Sequence, residues 1–378
     1  MKCRFLFILV LLELGILIGQ SDPGSFVKFP SPVAVYLERI QQGRQEHAFK
    51  LNRDFAKWQK SARIALVELI GLKQIRDELV EFRPRVIFGK RDHSEHAFTR
   101  QLCSIETEPG VKVPFYLLIP MSASRDTPAP VFLAPHGHDL LGLHSYAGVF
   151  KTEEHRKKVM SKDGNIAEQA AKRGFIAIAP ATRGLASEVS IPDLKGRHGN
   201  RSCRAQLMHC LVTGRTPVAE RVWDMQCLLD WIEKHPAADP MNIVMSGNSG
   251  GGVLTTYTAA IDARIKIAIP SCSFAPVTAK GGYIFHCDCC MVPGIRNWGD
   301  WTELGGLIAP RGLLIVHGVE DGLHHRPTVE KVFGGVQAIY KSAGTPEHVL
   351  LKWGASGHRF YPTLMWPFIE QYSQKAGR

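Results

Sequence analysis

Apolar positions change their spacing twice along this chain. Over residues 33–82 they recur at helical intervals, with Phe55, Trp58, Ala62, Ala65, Leu66 and Leu69 separated by charged residues, until Gly71 interrupts the run. That pattern predicts an N-terminal helical appendage. Residues 97–107 and 111–119 then read as strands around the turn Glu108-Pro109-Gly110, a β-hairpin. After Pro130, short apolar runs alternate with longer amphipathic ones. Strands are expected at 131–134, 175–179, 243–245, 265–269, 313–316 and 349–352, and helices at 166–172, 218–234, 253–260 and 329–341. This alternation predicts an α/β fold with a mostly parallel central sheet and helices on both faces. Sheets of that kind place their chemistry in loops at the carboxyl ends of the strands.

The first residues read differently from the rest. Lys2 and Arg4 precede an apolar run over 5–18, interrupted by Glu13, and Gly19, Gln20 and Ser21 follow. A charged start, an apolar stretch and small residues at its end form a secretory leader. The run is shorter than the roughly 18 apolar residues a span requires, so no stable membrane span is expected. The expected organisation is a signal peptide over 1–21, a helical appendage over 22–90 and a catalytic domain over 91–378, in an exported protein. Nine cysteines become eight without Cys3, and an even number in an oxidising compartment permits disulfides. Cys203 and Cys210 are the nearest pair by sequence, whereas a bond between the neighbours Cys289 and Cys290 would be strained. The formal charge of +11 is spread through short clusters such as His155-Arg156-Lys157-Lys158. With no basic stripe interleaved with aromatics, nucleic acid is not an expected partner. Nothing in the sequence sets the oligomeric state.

Three residues stand at the ends of successive expected strands: Ser249, Asp321 and His358. Gly247-Asn248-Ser249-Gly250-Gly251 fits G-x-S-x-G, in which a sharp strand-to-helix turn strains the serine and admits only small neighbours. The same turn aims the Gly250 N–H and a helix N-terminus at the place where an oxyanion would form. The order Ser, Asp, His is that of one triad lineage, and the gaps (321 − 249 = 72 and 358 − 321 = 37) leave room for whole strand-helix units. Taken singly, each residue has an ordinary role, as a flexible connection, a helix cap or a surface histidine; their joint placement carries the inference. A phosphate loop would need a Lys after the glycines, and a dinucleotide fingerprint would need G-x-G-x-x-G near the first strand; neither is present. Glu320 is the competitor of Asp321 for the orienting acid.

His136-Gly137-His138 ends the first expected strand of the αβ part, where the His138 N–H would be the second oxyanion donor beside Gly250. Read as metal ligands, His136 and His138 lack a third partner at suitable spacing, and Cys287-Asp288-Cys289-Cys290 after His286 lacks the gap that lets paired thiolates grip one ion. Neither a metal nor an organic cofactor is expected. Arg183 and Asp224 are expected to pair near the strand ends. Trp298 and Trp301 fall in a long loop over 271–306 that could cover the serine, either stacking on a sugar ring or packing within the loop.

The stretches "APHGHD" (134–139), "PATRG" (180–184), "RVWDMQCLLDWIEKHPAADPMNIVMSGNSGGG" (221–252), "APRGLLIVHGVEDG" (309–322) and "GHRFYP" (357–362) resemble bacterial α/β-hydrolases of the acetyl xylan esterase and dienelactone hydrolase-like group. The resemblance covers about 111–362. It implies the α/β-hydrolase fold, Ser249 as nucleophile, His358 as base, Asp321 as orienting acid and the His136-Gly137-His138 loop in the oxyanion hole. A small ester or acetylated carbohydrate is the implied substrate. Arg183-Gly184-Leu185 and Ser249-Gly250-Gly251 stand where cephalosporin-deacetylase-type enzymes carry Arg-Gly-Gln and Ser-Gln-Gly, and Gly250 departs from the Arg that follows the serine in glucuronoyl esterases. The rivals are a prolyl oligopeptidase-like peptidase and a catalytically silent binding protein on the same scaffold.

Overall fold

The structure is a computed structural model that describes residues 45–278 and 284–376, with scattered positions between 32 and 39. The expected leader over 1–21 lies outside the described residues. A nine-stranded sheet in the order β1-β2-β3-β5-β4-β6-β7-β8-β9 forms the centre. β1 (Arg85–Asp92), β2 (Phe98–Glu108) and β3 (Val111–Pro120) run antiparallel, and β3 also meets β5 (Ile176–Pro180) antiparallel. β4 (Ala129–Leu133), β5, β6 (Ala238–Asn248), β7 (Ile265–Ser271), β8 (Gly312–Gly318) and β9 (Val349–Gly354) pair in parallel. The predicted hairpin and all six predicted strands are present. β5 and β8 are buried at every position, the signature of strands covered on both faces.

The helices follow from their own caps and apolar stripes. In Phe55–Leu69 the Asp54 carboxylate accepts the Lys57 N–H at 3.0 Å, and Trp58, Ala62 and Leu66 turn inward; Gly71 at φ 84° then starts the short helix Leu72–Glu78. Pro217–Ile232 opens with Thr216 as cap and Pro217 in its first turn, where the missing N–H costs nothing. Among the unpredicted elements are β1, the helices Glu153–Met160 and Ser202–Thr213, the C-terminal helix Pro362–Ala376 and several helices of four to six residues in the connecting segments. β1 is exposed at nearly every position, so no apolar alternation marks it. No helix among the described residues is long and apolar enough to cross a membrane.

Two expectations about side chains are resolved here. Arg183 does pair with Asp224, through Nε at 2.7 Å and Nη2 at 2.6 Å, and its Nη1 reaches Glu108 at 2.6 Å. This buried fork ties the end of β5 to the hairpin and to the helix Pro217–Ile232. The expected disulfides do not form: all eight described cysteines are free. Cys203 and Cys210 lie two turns apart on the helix Ser202–Thr213, roughly 10 Å along its axis, beyond the reach of an S–S bond.

Candidate active site

β6 delivers Asn248 directly into Ser249, whose backbone sits at φ 57°, ψ −122°, and the helix Gly250–Ile261 begins one residue later. A non-glycine residue at positive φ stores strain and persists only where its surroundings over-determine it. They do so here through close backbone approach. A Cβ on Gly251 would fall 2.1 Å from the Pro135 carbonyl oxygen, and one on Gly137 would fall 2.6 Å from that of Asn248. The loop after β4 and the serine turn are therefore pressed together, and Gly250 lies against Gly137 and His138. As the first residue of its helix, Gly250 has an N–H with no intrahelical acceptor.

β8 and β9 bring in the other two predicted residues. Asp321 is buried and accepts the His358 Nδ1–H at 2.8 Å, while its second oxygen accepts the Leu323 N–H at 3.1 Å. Burial alone would raise this carboxyl, but the His358 bond and charge, with the His324 imidazole close by, outweigh it and hold the group well below the usual carboxylate range. Glu320 is exposed, and the carboxylate bonded to His358 is that of Asp321. Ser249 and His358 line one cavity of about 410 Å³ together with Gly137, Tyr146, His155 and Lys158. Among the described residues no hydrogen bond joins the Ser249 hydroxyl to His358; bonds of this kind commonly close only around substrate. A second cavity, of about 270 Å³, also borders Ser249 and His138 and is walled by Val253, Ser273, Phe285, Cys287 and Leu323.

His136 is fully buried and neutral, pushed down to about 4 by burial. Its Nδ1 donates to Gly137 O at 2.8 Å and its Nε2 accepts the Thr182 N–H at 3.0 Å, so it braces the loop and has no free nitrogen for a metal. Trp298 and Trp301 are buried, the former donating to Ala62 O at 3.0 Å, and Trp301 stacks on His286 at 4.5 Å. Trp298 packs against the N-terminal helical segment and Trp301 within its own loop, and both are closed to a sugar ring. That stacking also removes His286 from the cysteines beside it, because its Nε2 bonds Ala275 O at 2.8 Å. Cys287 and Cys289 turn instead toward His138 and Cys203, with all four ligand atoms within 4.8 Å of one another.

Sequence reasoning missed His324, whose Nδ1 stands 3.8 Å from the same Asp321 oxygen. The doublet His324-His325 behind Asp321 was the available signal. It also missed Cys203 as a neighbour of the site, since only the fold brings that helix to the loop after β4.

The abhydrolase family profile matches residues 21–268. YtaP of Bacillus subtilis (strain 168), named as a hydrolase, is 28% identical over 156 residues, which are 39% of this chain and 50% of that protein. The chain thus spans half the length of that curated relative. Among solved structures, a Bacteroides fragilis protein named as an acetyl xylan esterase is similar with a TM-score of 0.69 at 19% identity, covering 90% of this chain and 84% of its own. A methylesterase reaches 0.63 at 18% identity, over 91% and 67%. A glucuronoyl esterase from Solibacter usitatus reaches 0.55 at 15%, over 77% and 86%. At these identities the likeness concerns the fold.

Proposed function

Because the chain belongs to the abhydrolase family, we propose that it is a serine esterase in which Ser249, His358 and Asp321 form the triad and the N–H groups of Gly250 and His138 form the oxyanion hole. One observation carries the reading: a serine held at φ 57° at a helix start shares a cavity with a histidine whose far nitrogen is bonded to a buried carboxylate at 2.8 Å. Holding the proton on Nδ1 leaves Nε2 unprotonated and free to accept. His358 removes the Ser249 proton as the oxygen attacks the ester carbonyl; the oxyanion forms against the two N–H groups and the helix N-terminus. His358 then returns the proton to the departing alcohol, and water repeats the sequence on the acyl-enzyme.

The favoured substrate is an acetylated carbohydrate. Support comes from the acetyl xylan esterase and glucuronoyl esterase names of the structural neighbours and from the polar side chains of Asp139, Ser145, His155, Lys158 and Asn248 in the wall of the larger of the two cavities. Export after removal of residues 1–21, and the division at residue 90, belong to the same proposal. The test is hydrolysis of acetyl, butyryl and longer aryl esters, acetylated xylan and a peptide anilide by wild type and by Ser249→Ala. Acetyl esters should be cleaved best, with loss on the order of 10⁴-fold in the variant. Cleavage of no ester, or full activity in Ser249→Ala, refutes the proposal.

A further inference from the structure

Beside the serine, three segments far apart in sequence converge on one point. The loop after β4 contributes His138, the first turn of the helix Ser202–Thr213 contributes Cys203, and the excursion between β7 and β8 contributes Cys287 and Cys289. His138 Nε2 is 3.5 Å from Cys289 Sγ, and every pair among the four ligand atoms lies within 4.8 Å. A tetrahedral zinc ion with Zn–S bonds of ~2.3 Å sets its sulfurs ~3.8 Å apart, so the cluster needs only a small contraction to close on one ion.

We propose that His138, Cys203, Cys287 and Cys289 form a Cys3His site for a divalent zinc ion in the wall of the catalytic cavity.

The surroundings suit that assignment. Binding Zn²⁺ releases the three thiol protons to solvent and leaves the site with a net charge of −1. Two arginines face the sulfurs: Arg201 Nη2 at 3.2 Å from Cys287 Sγ, and the buried Arg221, whose Nη1 is 3.1 Å from the Cys289 carbonyl oxygen and 3.8 Å from its sulfur. The Cys289 N–H is bonded to Asp288 at 2.9 Å, which fixes the turn that presents both thiols to the same side. Outer partners of this kind orient metal ligands and tune them. A disulfide would use two of the three sulfurs and strand the third beside the imidazole, whereas one metal ion engages all four groups.

Four protein ligands leave no open position, so the ion is structural rather than a Lewis acid for substrate. Its effect on chemistry passes through His138, whose backbone N–H is the proposed oxyanion donor and whose side chain the ion would anchor. Zinc then acts as a positioning group for the oxyanion hole, and this second clause rests on the esterase reading while the site itself does not.

The experiment measures zinc by plasma mass spectrometry on the purified full-length chain after dialysis against micromolar Zn²⁺ with a reductant. About one zinc per chain is expected, falling at least tenfold in Cys203→Ser and Cys289→Ser and unchanged in Cys210→Ser, which lies outside the cluster. Cobalt in place of zinc should show the thiolate-to-cobalt charge-transfer band of a tetrahedral site, a readout that needs no variant to fold. A wild-type chain that holds no zinc, or a peptide map showing a disulfide within Cys203, Cys287 and Cys289, overturns the site. Chelation should slow kcat on the order of 10²-fold through displacement of His138 and be reversed by added zinc; an unchanged kcat overturns the positioning role. A chain that binds zinc but cleaves no ester refutes the esterase reading and leaves the metal site standing.

Discussion

Asp321 faces two histidines, and the difference between them can be measured. Its Oδ2 is 2.8 Å from His358 Nδ1 and 3.8 Å from His324 Nδ1, and only the first is a hydrogen bond. Replacing Asp321 by Asn keeps the side-chain volume and removes the charge. The imidazolium that His358 becomes in the transition state then loses a carboxylate partner at a charge separation of roughly 4 Å, about 4 kcal/mol at the effective dielectric of a partly buried pair. At 1.36 kcal/mol per decade this is ~10³ in kcat. An amide N–H facing the ring would also invert the tautomer and put the proton on Nε2, taking the total loss to the order of 10⁴ with little change in KM. The assay is steady-state hydrolysis of an aryl acetate, with fluorophosphonate labelling of Ser249 as a second reading. His358→Gln should match or exceed the loss, while His324→Gln should stay within about tenfold of wild type. Activity of Asp321→Asn within tenfold of wild type would refute the argument, and so would a larger loss from His324→Gln than from His358→Gln.

Other consequences follow from burial and close packing. His136 and His317 are both fully buried and pushed down by burial, to about 4 and about 3, against an ordinary value of 6.5. Between pH 6.5 and 4 the unfolded chain binds protons that the fold excludes, so stability is complete above 6.5 and falls as pH drops through that window, by up to ~2.7 kcal/mol per pH unit for two groups; urea melts at pH 7.5, 6.5, 5.5 and 4.5 should show it, and a flat series would disprove it. Gly251→Ala places a methyl 2.1 Å from a backbone oxygen, so it should destabilise by ~1–3 kcal/mol and slow Ser249 labelling at least tenfold; wild-type labelling kinetics would show that the two loops are not in contact. Arg183→Met strands the buried Asp224 and Glu108 and should cost ~3–5 kcal/mol in denaturant melts, most of it recovered when Asp224→Leu is added; two losses that simply add would deny the coupling.

The parallel core was readable because β4 to β9 contain short apolar runs closed by helix signals, and Ser249, Asp321 and His358 follow strand ends that such runs locate. Gly247, Gly251 and Gly137 were readable as small residues, but the reason for Gly137 and Gly251 is a contact between loops more than a hundred positions apart. What escaped had no local pattern. β1 gains its strand identity only from pairing with β2, and Cys203 carries no sign of Cys287 until a helix places it there. The disulfide expectation failed for a related reason: residues close in sequence on one helix are held apart by its rise, while residues far apart are brought together. Trp298 and Trp301 look the same in sequence whether they meet a ligand or the protein's own interior.

That Ser249 borders two recesses has a consequence for how selectivity can be tuned. One recess is framed by the chain around 137–164 together with 358–360, the other by the excursion between β7 and β8 with Arg201, Val253 and the turn at 323–324, while His138 and Ser249 line both. For an acyl-transfer serine bordering both, an ester whose two halves occupy the two recesses meets largely different stretches of chain. Preference for the acyl part and preference for the alcohol part are then modular traits, each open to change by substitutions that leave the other intact.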